Sequence, residues 1–331
     1  MNYTAPHQSV AFKLTTTLAI LISTCTACGS SPEQPPTPCR RMATGGADSV
    51  DYPFGVVLAR VFNEHARGAC LSAEPTDGST FNVNALDEGS VDFALARADT
   101  VYTAYVKGTP KRPRPHGRLR GVAIVYGSVL HLVVRNGSPV RAWTDLRGER
   151  IGVWVQSAEV TPVVGYGDLV AAAGDLGPAR IRGVRMRLNE MAPALVSGQI
   201  AGGFVLAAYP MESLRQLARN EGIRLLAIAP EAMARIRAQY PFFKPAVMPA
   251  GVYAGQDEPV STIALDNLLV TRQDMDEESV YLLTRTLLES LPRLARDHDA
   301  TGQVNPDLAS ATPIPLHPGA IRYYRERELL R

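Results

Sequence analysis

RRMATGGADSVDYPFGVVLARVF, residues 40–62, decides the fold. Arg40 to Thr44 reads as a short strand and Gly45-Gly46 as a tight turn. Phe54, Val57, Leu58, Val61 and Phe62 then recur at the three- and four-residue spacing of one helix face. Asp51 stands where a helix cap is expected, and Pro53 falls in the first turn, where its missing N–H costs little. A glycine turn between strand and helix bares backbone N–H groups to a small polar ligand. The stretch is thus a strand-turn-helix unit with the outline of a binding loop.

The same alternation continues downstream. Strands are expected over 69–73 and 91–96, with a helix between them over 79–88 closed by Gly89 and another over 99–106. Such alternation predicts a parallel sheet covered on both faces. Residues 107–120 carry three prolines and six cations and read as an exposed loop. Strands follow over 119–126, 129–135, 150–155, 201–206, 223–228 and 263–270, and helices over 162–173, 191–196, 211–220 and 277–291. The apolar runs 129–134 and 263–270 are the candidates for crossovers between two lobes. Lobe 1 is then 40–128 with 271–331, lobe 2 is 129–270, and ligands are expected at the carboxyl ends of the strands.

Length fits one two-lobed protein or two ordinary domains. At 331 residues, 46% hydrophobic and 20% charged, the chain can bury a large core. Lys13 precedes an apolar run over 14–27 that has the length of a signal-peptide core and is too short to span a membrane. Its end, Thr26-Ala27-Cys28-Gly29, resembles the lipobox of bacterial lipoproteins, which makes Cys28 the acylated residue, with Cys25 as the alternative. Residues 1–27 are then the signal peptide and 28–39 a Pro/Ser-rich tether. Removing the signal takes away only Lys13 and leaves a formal net charge of +1, which implies no nucleic-acid partner. Cys39 and Cys70 lie at the same end of two strands expected to be neighbours, so an exported protein can join them in a disulfide or bury them as thiols.

Four blocks of sequence resemble a known family. They are Thr44-Gly45-Gly46 with Tyr52-Pro53; Gly78-Ser79, Asn82, Leu86, Gly89 and Asp92, ending at Asp99; Tyr240-Pro241-Phe242 through Pro249-Ala250-Gly251-Val252-Tyr253, Gly255-Gln256 and Asn267-Leu268-Leu269-Val270; and Pro313-Ile314-Pro315-Leu316-His317-Pro318-Gly319-Ala320 with Arg322-Tyr323-Tyr324. In this order they resemble the TAXI class of solute-binding receptors of tripartite ATP-independent periplasmic (TRAP) transporters. The resemblance implies an α/β, two-lobed periplasmic-binding-protein type II fold with a hinge and an interlobe cleft. It also implies a small organic acid or acidic amino acid as ligand, delivery to TRAP membrane subunits, and a lipid anchor on the extracytoplasmic face. No cofactor, metal or catalysis is expected of such a receptor.

Within that frame the candidate ligand contacts are Thr44, Gly45, Gly46, Tyr52, Ser79, Thr80, Arg97, Asp99, Gln156, Ser157, Thr161 and Tyr209. The chain also departs from the family. Asp48, Ser49 and Asp51 stand where more glycine and a tyrosine are usual, and these carboxylates repel an anion or hold an amino group. Arg97 replaces a glutamine and is either a two-point carboxylate clamp or an outward-facing side chain. Gln156-Ser157-Ala158-Glu159-Val160-Thr161 occupies the place of a Gly-Ser-Gly-Thr loop, and Ala201-Gly202 follows Gly198-Gln199-Ile200 where an acidic residue is common. Two other classes stay open: a sensing lipoprotein without a transporter, and a periplasmic enzyme. Against the enzyme, His65, His116, His131, His298 and His317 are scattered with no pair at metal-ligand spacing, and no nucleophile elbow or phosphate loop appears.

Overall fold

β1 (Arg40–Ala43) pairs in parallel with β2 (Leu71–Glu74) on one side and β3 (Phe93–Arg97) on the other. The connections are α1 (Asp51–His65) and α2 (Ser79–Glu88). The computed structural model describes residues 39–47, 49–66, 69–155, 169, 172–173, 182–240 and 242–330. Apart from residues 169, 172 and 173, the expected helix over 162–173 lies outside the described residues, as do the loop carrying Gln156, Ser157 and Thr161, Asp48, and Cys28 with its signal and the tether up to residue 38.

The opening unit differs from expectation in its cap. Val50 is the cap residue of α1 and Asp51 is already helical, because the Asp51 carboxylate accepts from the Tyr126 hydroxyl at 2.6 Å instead of from its own helix. α2 ends where Gly89 takes the left-handed conformation, φ 75°, and its N–H closes on the carbonyls of Ala85 and Leu86. Asn82 is fully buried within α2 and clamps the unit together. Its Nδ2 donates to the carbonyls of Thr44 and Leu95 at 2.5 and 2.7 Å, and its Oδ1 accepts from Thr76 Oγ1 at 2.6 Å.

α3 (Ala98–Val106) leads through the loop to β4 (Leu119–Arg135), a single 17-residue strand where two shorter ones were expected. Gly127 and Ser128 interrupt the apolar pattern but not the backbone, because both pair with β10 (Val260–Arg272), opposite Asp266 and Leu265. Beyond β4 come β5 (Arg150–Trp154), β6 (Arg182–Met186), α4 (Leu188–Val196), β7 (Gly202–Ala207), α5 (Glu212–Asn220) and β8 (Ile223–Leu225). α6 (Pro230–Gln239) and β9 (Lys244–Met248) were not anticipated from the pattern. The apolar helix expected over 277–291 stops at Ser290, giving α7 (Glu277–Glu289) and α8 (Leu291–Asp297), since Pro292 opens a new first turn. α9 (Pro318–Glu326) follows near the end of the chain.

Among the described residues the strands form one sheet, ordered β2-β1-β3-β10-β4-β7-β5-β6, with β8 on β4 and β9 on β10. The sheet is mixed and not parallel as expected. The chain crosses from one half to the other along β4 and returns along β10, so β10 runs antiparallel to β3 and β4, and β4 antiparallel to β7. Parallel pairing survives at each flank, in β1 with β2 and β3 and in β5 with β6 and β7.

Core packing covers both faces, as the apolar runs require. Phe93 and Leu95 join one core, with Phe54, Leu58 and Val205, while Ala94 and Ala96 join the other, with Leu86, Leu130 and Phe204. Cys39 and Cys70 form a disulfide just ahead of the first β1–β2 pair, Arg40 opposite Leu71. Thr37–Arg331 form one compact unit. No helix among the described residues is long and apolar enough to cross a membrane.

Candidate ligand-binding site

Three helix starts converge on one cavity. Ser49, Val50 and Asp51 come from the start of α1, Ser79 and Thr80 from α2, and Arg97 and Thr100 from the β3–α3 junction. Trp154 and Val155 line it from the end of β5, Leu206, Ala207 and Ala208 from the end of β7, and Ser128 and Asn267 from β4 and β10. The cavity volume is about 80 Å³, several times the ~10–15 Å³ that one water needs. First-turn N–H groups have no acceptor within their own helix and carry the positive end of its dipole, so this is a place for anionic or strongly accepting atoms.

Arg97 is held from two sides. Its Nε and Nη2 donate to Asp99 Oδ1 and Oδ2 at 3.1 and 2.8 Å, and its backbone N–H donates to Ser79 Oγ at 3.1 Å. The Asp99 carboxylate is 1% exposed and also accepts from the Thr100 N–H at 2.7 Å. Arg97 therefore lines the cavity with one edge of its guanidinium already committed. The outward-facing alternative does not describe it.

Asp51 supplies the opposite charge. It is half-buried, and loss of water around it pushes its carboxyl above the usual carboxylate range, with the Tyr126 hydroxyl bond and the Arg97 charge acting against that rise. Tyr126 is pushed up in turn, first by its own burial and then by Asp51. The Tyr126 ring packs edge-on against Phe54, at 5.0 Å between centroids, which fixes the hydroxyl under the start of α1. Nearby, Ser128 Oγ accepts from Asn267 Nδ2 at 2.8 Å.

The structure sorts the expected contacts. Ser79, Thr80 and Arg97 line the cavity. Asp99 does not line it and acts through Arg97. Thr44 is fully buried, with Oγ1 donating to the Glu74 carbonyl at 2.8 Å, so it braces the turn. Gly45 sits behind the lining: a Cβ there would lie 2.4 Å from Ser49 Oγ and 2.7 Å from Asp51 Oδ2. Gly46 borders a separate surface groove with Arg41, Glu74 and Thr76. Tyr52 and Tyr209 are half-buried outside the lining, and the Tyr209 carbonyl accepts from Gln303 Nε2 at 2.9 Å. His317 caps α9, accepting from the Gly319 N–H at 3.2 Å, which is a structural role.

Thr100, Ser128, Trp154 and Asn267 were missed. A signal for two of them was present: Ser128 and Asn267 are polar residues inside otherwise apolar strands, and a buried polar group needs a partner.

Residues 42–327 match the model of the NMT1-like family. The chain belongs to the NMT1-like family. Solved structures resemble this NMT1-like protein in fold. One described as a periplasmic transporter gives a TM-score of 0.54 at 12% identity, covering 88% of this chain and 93% of the other. Tv2483, in a structure bound to L-arginine, gives 0.50 at 13% identity, covering 80% and 92%. The periplasmic aliphatic sulphonate binding protein SsuA from Escherichia coli gives 0.48 at 13% identity, covering 88% and 84%. At such identities the likeness is one of fold, the α/β fold of periplasmic substrate-binding proteins, and it brings no ligand to this NMT1-like chain.

Proposed function

We propose that the protein is an extracytoplasmic solute receptor that binds a small organic acid or acidic amino acid and passes it to the membrane subunits of a transporter. One observation carries this reading: a cavity where the starts of α1, α2 and α3 meet at the carboxyl ends of β3, β5 and β7. Neutral donors in a desolvated space, aided by helix dipoles, bind a carboxylate without fixed positive charge in excess. The cavity takes lining from both flanks of the β4–β10 pair, which suits closure of two lobes, 40–128 with 271–331 and 129–270, about those strands.

The finer reading is a TRAP-type system with an ion gradient as its energy source and a receptor anchored through Cys28. Its support is the four sequence blocks and the lipobox-like Thr26-Ala27-Cys28-Gly29. In this reading the protein binds and releases its solute unchanged. The test is to purify the protein from its own cells, denature it and identify what is released by mass spectrometry. A stoichiometric small anion or zwitterion, re-bound by the stripped protein in calorimetry, is the expected result. Conversion of that solute by the purified protein would overturn the reading in favour of an enzyme.

A further inference from the structure

The cavity has a second pole that the anion-binding helix starts do not explain. Asp51 and Arg97 are the ionisable residues of its described lining, and the Arg97 charge is balanced by the buried Asp99. The Asp51 carboxylate has a neutral donor, the Tyr126 hydroxyl on Oδ1, and a share of the Arg97 charge that Asp99 already engages, so among the described lining one cation serves two carboxylates. A carboxylate partly withdrawn from water is favoured when a proton, a cation or several donors compensate it. Ser49 adds an independent sign of something unfilled. It lines the same cavity at 7% exposure, and its buried Oγ has no hydrogen-bond partner among the described residues. Such orphaned buried hydroxyls call for an occupant.

The two groups are neighbours. Ser49 Oγ and Asp51 Oδ2 both lie within 2.7 Å of the point where a Gly45 side chain would begin, so the absence of a Cβ at Gly45 lets them approach. One ammonium group, with three donors, can serve both oxygens at once. A carboxylate in the same place would meet Asp51 as a like charge.

We infer that the solute carries a basic nitrogen that docks on Asp51 and Ser49, while its acidic group occupies the starts of α2 and α3 beside Arg97. The inference rests on the receptor reading and narrows it: a zwitterion is taken and the matching nitrogen-free acid is refused.

Matched pairs test it at pH 7.5 by calorimetry on the stripped full-length protein: L-glutamate against 2-oxoglutarate, L-alanine against pyruvate, and L-leucine against 4-methyl-2-oxopentanoate. These are read alongside mass spectrometry of the solute released from the native protein. The expected result is a released solute with a basic nitrogen and, for the pair that binds, an amino member at least tenfold tighter than its oxo partner. Asp51→Asn should erase that preference. Ser49→Ala, a milder change suited to the case where Asp51→Asn does not fold, should weaken the amino member alone by several fold. A nitrogen-free released solute, equal or tighter binding of the oxo acid, or a preference untouched in a folded Asp51→Asn overturns this inference and leaves the receptor standing. No released solute and no binding by any probe overturns the receptor reading and this inference with it.

Discussion

Arg97 and Asp99, two residues apart at the β3–α3 junction, face each other as a forked ion pair, with both carboxylate oxygens engaged at 3.1 and 2.8 Å. The pair sets the geometry of the cavity, because the buried partner is the carboxylate and the lining partner is the guanidinium. Removing the carboxylate leaves a cation in a site shaped for a neutral pair. Asp99→Ala is expected to lose about 3–5 kcal/mol of stability, the usual consequence of breaking a buried pair from one side. Urea unfolding at pH 7.5 checks this, and a loss under 1 kcal/mol contradicts the arrangement. Arg97→Lys keeps the charge but loses the fork, and should weaken binding of the copurifying solute more than it weakens folding.

Gly45→Ala tests the support behind the lining. A methyl group there meets Ser49 Oγ at 2.4 Å and Asp51 Oδ2 at 2.7 Å, so both residues must move. The expected result is a loss of roughly 1–3 kcal/mol from overpacking, together with at least tenfold weaker solute binding. Calorimetry and thermal melts on the same sample separate the two effects. Unchanged affinity in a folded variant would place Ser49 and Asp51 outside the ligand contacts.

Acid should loosen the fold in a defined window. His131 lies in the later part of β4 with Nδ1 on the Val129 and Val205 carbonyls, at 3.1 and 3.2 Å. Its Nε2 accepts from the Tyr253 hydroxyl at 2.9 Å, and that hydroxyl accepts from the Met211 N–H at 3.1 Å. Burial holds the His131 imidazole down to about 4, against an ordinary value near ~6.5 in the unfolded chain. Between those values the unfolded chain binds the extra proton, so stability is intact above the upper value and falls as the pH drops towards the lower one. The slope from this one group reaches about 1.4 kcal/mol per pH unit. Burial also lowers His116, His298 and His317, which adds to the same trend. Urea midpoints at pH 7.5, 6.5, 5.5 and 4.5 measure it, and a flat profile across that range rules it out.

The disulfide between Cys39 and Cys70 closes a segment with a separation of 31 residues. Closure of a loop of that length restricts the unfolded chain by about 3–4 kcal/mol. Reductant, or Cys70→Ser, should lower the denaturation midpoint accordingly without moving the solute affinity more than a few fold, since neither cysteine lines the cavity. An unchanged midpoint under reduction would show that the bridge adds nothing.

Much of the architecture was legible because local rules and global fold agree. The helix over 79–88 could be bounded to the residue because Ser79 opens it and Gly89 closes it, although its buried face mixes Asn82 and Asn84 with Val83, Ala85 and Leu86. The direction of the sheet was not legible, since apolar alternation reports burial and says nothing about which way a neighbour runs. β10 illustrates this: Ile263 to Val270 reads as a buried strand in either direction, and only the return of the chain makes it antiparallel. At the site, Ser79 and Thr80 could be read from their place at a helix start, whereas Thr44 and Gly45 read as donors and turned out to brace the residues that line the cavity. Asp51 stands out in the sequence as a carboxylate near the mouth, but its pairing with Tyr126 joins residues 75 apart and has no trace in local sequence.

The central position of β10 has a consequence for biogenesis. β3 emerges from the ribosome early, yet the strand that lies beside it is synthesised near the far end of the chain. Until then the nascent N-terminal half leaves the β10-facing edge of β3, Phe93–Arg97, without its strand partner. If the chain is exported, as in the receptor proposed above, that delay favours it, because translocation requires a polypeptide that has not yet locked.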